Sequence, residues 1–375
     1  MRGWQVRVLY GPQILVYHTP MRYKIYTKTE KAWDAMFSAI SHAKSSILFE
    51  MYTFLDDTTD THDFIKILKQ KALEGVRIKI IIDSLGSYSF SNNSLKILKD
   101  AGVEVFIFKV LFRHTHRKIL VIDERIGYVG GINITKFYKK WDDLLIKVDG
   151  KVVKYIIRSF ARVYKDCGGK DTLVLKYDKD IQEPKGKVWF MEHFPIKNSF
   201  GMKKYYRDKL KLARKKILIV TPYFMPNRWV VKALKKTAKR GVEIEIILPL
   251  FADHPSIANV SNYFYMQKLF KHNIKFFLTK DMIHSKMMIV DEKEGIVGSQ
   301  NMDIISFDLN IESGVFFTEP AIVKELNEIA ENWKKDSVPY SPKMRNTHLL
   351  DYFYEFCFSV FEGAIIFLNR LTRPL

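Results

Sequence analysis

The feature of this sequence that most restricts its fold is an internal duplication. KSSILFEMYTF (44–54) opens a series of segments that starts again at RKKILIVTPYFMP (214–226). Both are rich in β-branched and aromatic residues and lack helical periodicity, so each predicts a short buried strand. FIKILKQKALEGVRIKIIIDSLG (64–86) and VVKALKKTAKRGVEIEIILPLFAD (230–253) come next, each an amphipathic helix followed by a strand. Gly75 and Gly241 stand just past the last helical turn, where a left-handed cap suits glycine. SLKILKDAGVEVFIF (94–108) and YFYMQKLFKHNIKFF (263–277) add a second helix and strand. Each copy then reaches an eight-residue stretch of one form, HRKILVID (116–123) and HSKMMIVD (284–291). Gly75 to His116 is 41 residues and Gly241 to His284 is 43, so four elements recur in matched order and spacing.

Strands alternating with helices predict an α/β fold with mixed, mostly parallel sheets. The duplication predicts two tandem α/β/α sandwich repeats related by a pseudo-twofold. Residues 1–165 hold the first repeat with an N-terminal aromatic segment. Residues 166–200 form the connection, where CGGKD and EPKGK supply glycine, proline and charge. Residues 201–338 hold the second repeat, and 339–375 form an amphipathic aromatic tail.

The two eight-residue stretches carry the chemistry. In a strand, residues i and i+2 share a face, so His116 projects with Lys118 and His284 with Lys286. Asp123 and Asp291 lie beyond an apolar run that anchors the strand. The turns GYVGGIN and GIVGSQN end on Asn133 and Asn301. A pseudo-twofold would bring two imidazoles, two ammonium groups and two amides into one cleft, a set that suits phosphoryl transfer. One neutral histidine attacks phosphorus. The other protonates the leaving oxygen and later takes a proton from the acceptor. Lysines and asparagines hold the non-bridging oxygens as charge shifts onto them. Each imidazole needs a partner to fix its tautomer. Asp143 follows His116 by 27 residues and Glu312 follows His284 by 28, so each acid is expected to serve the histidine of its own copy. Lysine is not a zinc ligand and neither HExxH nor CxxC occurs, so neither a metal site nor a cofactor is expected.

Both stretches, each with its glycine-rich turn and Asn, resemble the phospholipase D superfamily, whose signature is HxKxxxxD. The resemblance implies one active site built from two copies and a phosphohistidine intermediate formed without metal. It also implies His116 as nucleophile and His284 as general acid/base, with Lys118, Lys286, Asp123 and Asp291 as the rest of the catalytic set. ILFEMYTF (with Glu50), WDDLLIKVDGKVV, TPYFMP and GSQNMDIISFDLNIE further resemble bacterial cardiolipin synthases, over about Gly11 to Trp333. Longer members carry two N-terminal spans that this sequence lacks, as shorter members do, and Ile305 replaces a usual Arg. The expected activity is phosphatidyl transfer that joins two phosphatidylglycerol molecules and releases glycerol. Hydrolysis of phospholipid and a nuclease-type phosphodiesterase are the alternatives.

Composition bears on the partner. Sixty-one Lys+Arg against 41 Asp+Glu give a net charge of +20, which attracts polyanions: an anionic membrane face or, as the weaker expectation, nucleic acid. Two cysteines imply no disulfide framework. The N-terminus does not have the form of a signal peptide, and no uninterrupted apolar run is long enough to predict a spanning helix. The tail LLDYFYEFCFSVFEGAIIFLNRL (349–371) predicts a helix whose Asp351, Glu355, Ser359, Glu362 and Asn369 share an arc of about 80°. The tail, with the basic helices KALKKTAKR and YRDKLKLARKK, predicts peripheral or monotopic contact with a bacterial membrane at its cytoplasmic face.

Overall fold

A computed structural model describes residues 21–179, 186–253, 257–345 and 349–371. The predicted N-terminal aromatic segment (1–20) lies outside them. The first repeat runs β1 (Tyr23–Lys28), α1 (Thr29–Ser41), β2 (Ser46–Met51), α2 (Phe64–Leu73), β3 (Arg77–Asp83), α3 (Asn92–Asp100), β4 (Glu104–Phe108). It continues through β5 (Lys118–Ile122), β6 (Ile126–Gly130), β7 (Asp142–Asp149) and α4 (Val152–Asp166). After a short α5 (Thr172–Leu175), the second runs β8 (Val188–His193), α6 (Gly201–Leu212), β9 (Lys216–Val220), β10 (Phe224–Met225), α7 (Arg228–Lys239), β11 (Glu243–Pro249). Then come α8 (Ile257–Phe270), β12 (Ile274–Thr279), β13 (Met287–Val290), β14 (Glu294–Gly298), β15 (Met302–Asp303) and α9 (Ile304–Asp308). The chain ends through β16 (Glu312–Phe317), α10 (Pro320–Lys335), β17 (Ser337–Pro339) and α11 (Leu349–Leu371).

Among the described residues the first sheet is ordered β1-β7-β6-β5-β2-β3-β4. The second repeats it strand for strand as β8-β16-β14-β13-β9-β11-β12, with β17 added at the edge. The duplication is therefore structural, and the mixed α/β class is as expected. The expectation of mostly parallel sheets is corrected. Within these two sheets parallel pairing is confined to β2-β3-β4 and β9-β11-β12, where helices make the crossovers, and every other neighbour is antiparallel. The cause is local: tight turns join β5 to β6 and β13 to β14, leaving no room for a crossover. A second difference lies in the connection 166–200, because β8 inside it is an edge strand of the second sheet, paired with β16.

The core has three parts. Helices α1 and α2 cover the outer face of the first sheet through Trp33, Met36, Phe64 and Leu68. Helices α6, α7 and α8 cover the outer face of the second through Tyr205, Leu234 and Met266. Between the sheets lies one shared core, to which α4 gives Val153, Ile156 and Phe160 and α10 gives Ile322 and Leu326. Burial of this common core fixes the two repeats against each other. The helix ends follow expectation: Gly75 and Gly241 have φ of +88° and +84°.

Candidate active site

The two histidines stand just before β5 and β13, with Lys118 opening β5 and Lys286 directly ahead of β13, at the end of the sheets where the repeats meet. The junction is built from backbone. Thr115 bridges Ile311, and Asp142 bridges Ile283, so the residue before each histidine lies beside the opposite repeat's acid strand. His116 donates its N–H to the Ile311 carbonyl at 2.9 Å, and His284 donates to the Asp142 carbonyl at 2.6 Å.

That exchange decides the side-chain partners and corrects the expected pairing. His116 Nδ1 lies 3.1 Å from both Glu312 carboxylate oxygens, and His284 Nδ1 lies 2.7 Å from Asp143 Oδ2. Each histidine is held by the acid of the other repeat. Spacing of 27 and 28 residues located the acids but paired them within a copy, because a twofold-related arrangement leaves sequence distance silent about which copy is served. With Nδ1 engaged, Nε2 is the nitrogen left for chemistry, and among the described residues it has no partner in either histidine.

All six of these side chains are buried, at 0–7% exposure: His116, His284, Lys118, Lys286, Asp143 and Glu312. Lys118 Nζ donates to the His116 carbonyl at 2.6 Å, and Lys286 Nζ donates to the His284 carbonyl. Burial drives the Lys118 ammonium well below its ordinary range and the Lys286 ammonium down to about 8. Burial also lowers His116 and, further, His284.

The two acids differ. Burial pushes Asp143 up to about 7. Burial pushes Glu312 upward as well, but His116, Lys118 and the Ser299 hydroxyl outweigh it and hold the carboxyl below its ordinary value. One residue in each glycine-rich turn adds to the difference. Ser299 donates its hydroxyl to Glu312 Oε2. At the matching place stands Gly131, where an added Cβ would lie 2.2 Å from Asp143 Oδ1. Glycine is required there because the carboxylate occupies the space of a side chain.

Aromatic rings complete the walls. Tyr52 meets the His116 ring edge-on at 4.7 Å and lies under Lys118 Nζ. Tyr138 lies parallel to His284 at 6.0 Å, with Trp141 at 5.5 Å and Tyr223 at 6.2 Å. The Tyr223 hydroxyl donates to Asp253, whose charge acts on His284. Of these, Tyr138, Trp141, Tyr223, Asp253 and Ser299 were not singled out in the sequence. FYKKW directly before Asp142 was the signal available for the first two.

The remaining expected residues fall in three places. Asn133 is buried, and its Oδ1 accepts the Thr53 N–H at 3.2 Å while its Nδ2 has no partner among the described residues. Asn301 Oδ1 lacks a donor and its amide reaches Asp303. Glu50 sits behind the site, where Arg117 Nε and an Nη meet its two oxygens at 2.9 and 2.6 Å. Asp123 and Asp291 are corrected: neither joins the site. Each lies five residues beyond its lysine, about 16 Å along the strand. Each has a left-handed backbone, φ 52° and 53°. Asp123 Oδ1 accepts the N–H groups of Lys44, Ser45 and Ser46 at 2.7–3.1 Å, and Asp291 Oδ1 accepts those of Arg214, Lys215 and Lys216 at 2.7–3.1 Å. They clip the hairpin turns to the strands beside them.

Exposed apolar side chains sit on the loops that adjoin these residues: Leu85 and Tyr88 after β3, Leu111 and Phe112 before His116, Phe137 beside Tyr138, and Phe251 before Asp253. Phe137 packs 5.3 Å from both Tyr138 and Trp141.

Known proteins resemble this arrangement. Residues 36–164 and 206–333 match the family model described as cardiolipin synthase, PLD-like domain. The chain is 28% identical over 343 residues to the probable cardiolipin synthase YwiE of Bacillus subtilis, covering 87% of this chain and 68% of that protein. It is 30% identical over 321 residues to cardiolipin synthase 2 of Bacillus anthracis, covering 80% and 62%. It thus spans about two thirds of the length of these relatives. In solved structures, phosphatidylserine synthase of Haemophilus influenzae shares the fold with a TM-score of 0.70 at 15% identity, covering 93% of this chain and 94% of that one. Polyphosphate kinase of Porphyromonas gingivalis shares it with a TM-score of 0.59 at 13% identity, covering 92% and 53%.

Proposed function

As the chain belongs to the cardiolipin synthase, PLD-like domain family, we propose that it is a phosphatidyltransferase that condenses two phosphatidylglycerol molecules into cardiolipin and glycerol. The observation that carries this proposal is the exchange of acids. Each Nδ1 is tied to the opposite repeat, so both Nε2 atoms are free for phosphorus and its oxygens.

His116 Nε2 attacks the phosphodiester phosphorus, a P–N bond forms and the P–O bond to glycerol breaks. The His284–Asp143 pair, which starts with one proton beyond the neutral imidazole and the carboxylate, passes it through His284 Nε2 to the departing glycerol oxygen. In the second half, His284 takes the proton from a hydroxyl of the second phosphatidylglycerol. That oxygen attacks phosphorus, and the P–N bond breaks to release cardiolipin and restore both histidines. Glu312, held ionised, offsets the positive charge that develops on His116. Asp143, raised to about 7, makes the His284 pair the one that exchanges a proton near neutrality, which supports this division of roles. An arriving phosphodiester anion favours the charged forms of Lys118 and Lys286, so substrate helps keep charged the ammonium groups that hold its oxygens. Asn133 Nδ2 is a further donor for those oxygens.

The exposed apolar side chains on loops adjoining the site support a site that opens onto lipid rather than onto a nucleic-acid backbone. Among the described residues no helix is long and apolar enough to cross a membrane, so the proposed contact is with a bacterial membrane surface, at its cytoplasmic face. The test is mass spectrometry of products from phosphatidylglycerol liposomes. Cardiolipin with free glycerol supports the transferase. Phosphatidic acid alone assigns water as acceptor, and no lipid product together with cleavage of DNA replaces the proposal with a nuclease.

A further inference from the structure

Helix α11 has a place on the body that its sequence did not reveal. An acidic stripe turned outward would oppose an anionic surface, yet the described part of that stripe faces inward. Asp351 and Glu362 are buried. Arg345 meets Asp351 at 2.7 Å, and Arg228 binds Glu362 through its backbone N–H at 3.0 Å and Nε at 3.6 Å, and Ser359 through an Nη. The acids are neutralised against the protein, and Tyr352, Phe353, Phe356, Val360, Phe361 and Phe367 are left on the exposed surface.

Beside this helix is a cavity of about 410 Å³ between α7, α8, α9 and α11. Its wall carries Arg228, Lys232, Lys235, Lys236 and Lys268, with Phe358 on the α11 side. The one acid in the wall, Glu362, is the partner of Arg228. Among the described residues Lys232, Lys235 and Lys236 have no acidic partner. Solvated lysines on a helix face are ordinary; four lysines and an arginine converging on one concavity, next to an aromatic face, are not. The direction of α11 matters too. Tyr352 packs 6.0 Å from Phe264 in the middle of α8, and Glu362, ten residues on, reaches the N-terminus of α7 beside the cleft. Ile304 of the cavity wall is the third residue after Asn301.

We propose that this cavity is a second, non-catalytic lipid site that binds the phosphate headgroup of an anionic phospholipid still in its bilayer, while the aromatic face of α11 enters the acyl layer. The basic wall recognises the phosphate, and the exposed rings supply the apolar anchor that charge alone lacks. The inference goes beyond the catalytic proposal and does not depend on it, since its measurement is binding.

The experiment is co-sedimentation of the full chain with phosphatidylcholine vesicles, with and without phosphatidic acid, which carries no alcohol for the cleft to displace. Lys232→Glu with Lys236→Glu is expected to lower partitioning onto phosphatidic acid vesicles by about tenfold or more. Lys324→Glu with Lys335→Glu, an equal charge change on α10, is expected to lower it far less. Phe353→Ser with Phe356→Ser and Phe361→Ser is expected to reduce binding to both vesicle types. Turnover of short-chain dispersed phosphatidylglycerol by the Lys232→Glu, Lys236→Glu protein should be unchanged. Equal losses from the two charge-reversal pairs would reduce the site to general electrostatics and overturn it. So would aromatic substitutions that only convert a dimer to a monomer and leave vesicle binding intact, since α11 would then serve a second copy of the chain.

Discussion

At the scale of single residues, the site behaves as two unequal acid–imidazole pairs, and the inequality has measurable signs. The His284–Asp143 pair must carry a proton for the departing oxygen, so turnover should fall as pH rises through about 7, the value to which burial raises Asp143. Lys286 needs its own proton, so the loss should steepen as pH rises through about 8. His116 must be neutral to attack, so an acid limb is expected below the ordinary imidazole range, and both limbs report values of the coupled site. Asp143→Asn should reduce turnover by about 10²–10⁴-fold and displace the alkaline limb; an unchanged alkaline limb would unseat Asp143 from that role. Gly131→Ala should give a comparable loss with the fold retained, because its Cβ would displace the Asp143 carboxylate. His284→Ala, assayed by acid-labile phosphate on the protein, should retain more phosphohistidine than His116→Ala, which should retain none. Label on His284 in the His116→Ala protein would reverse the assigned roles. The histidines, lysines and acids were legible because each type recurs at fixed spacing in two copies. Gly131 and Ser299 were visible as part of a glycine-rich turn, but what each does depends on a carboxylate that arrives from another strand.

At the scale of elements, the repeated aspartates separate a conserved form from a catalytic role within this one chain. Asp123 and Asp291 recur in the eight-residue stretches as faithfully as the histidines, yet each clips a turn. Asp123→Ala should therefore lower stability by about 1–3 kcal/mol in chemical denaturation, through unsatisfied backbone donors, and leave turnover per folded molecule nearly intact. A large loss of turnover in fully folded protein would return the residue to the site. The periodic helices and the apolar strands were legible. Strands β1 and β8 were not, because YKIYTK and VWFMEH are edge strands that mix polar and apolar residues and lack a neighbouring motif. The excess of antiparallel pairing escaped for a related reason: hydrophobic runs report burial on both faces, which parallel and antiparallel interior strands share. Helix α11 was legible as a helix with a polar stripe, but Arg228, which takes up Glu362 of that stripe, lies 134 residues away in sequence.

At the scale of the whole molecule, the two repeats share a core and exchange the groups on which chemistry depends. Residues 1–179 and 186–375 expressed as separate chains should each lack turnover, and the two together should regain it through the common core of α4 and α10. A single fragment active as a monomer would contradict the exchanged pairing. The exchange of acids also bears on inheritance. After an ordinary tandem duplication one copy is spare, and lesions gather in it at no cost. Here a lesion in either half disarms a histidine that lies in the other, so selection sees both halves at once and neither can decay first. A descendant with only one half would have to find its missing acid on a sister molecule.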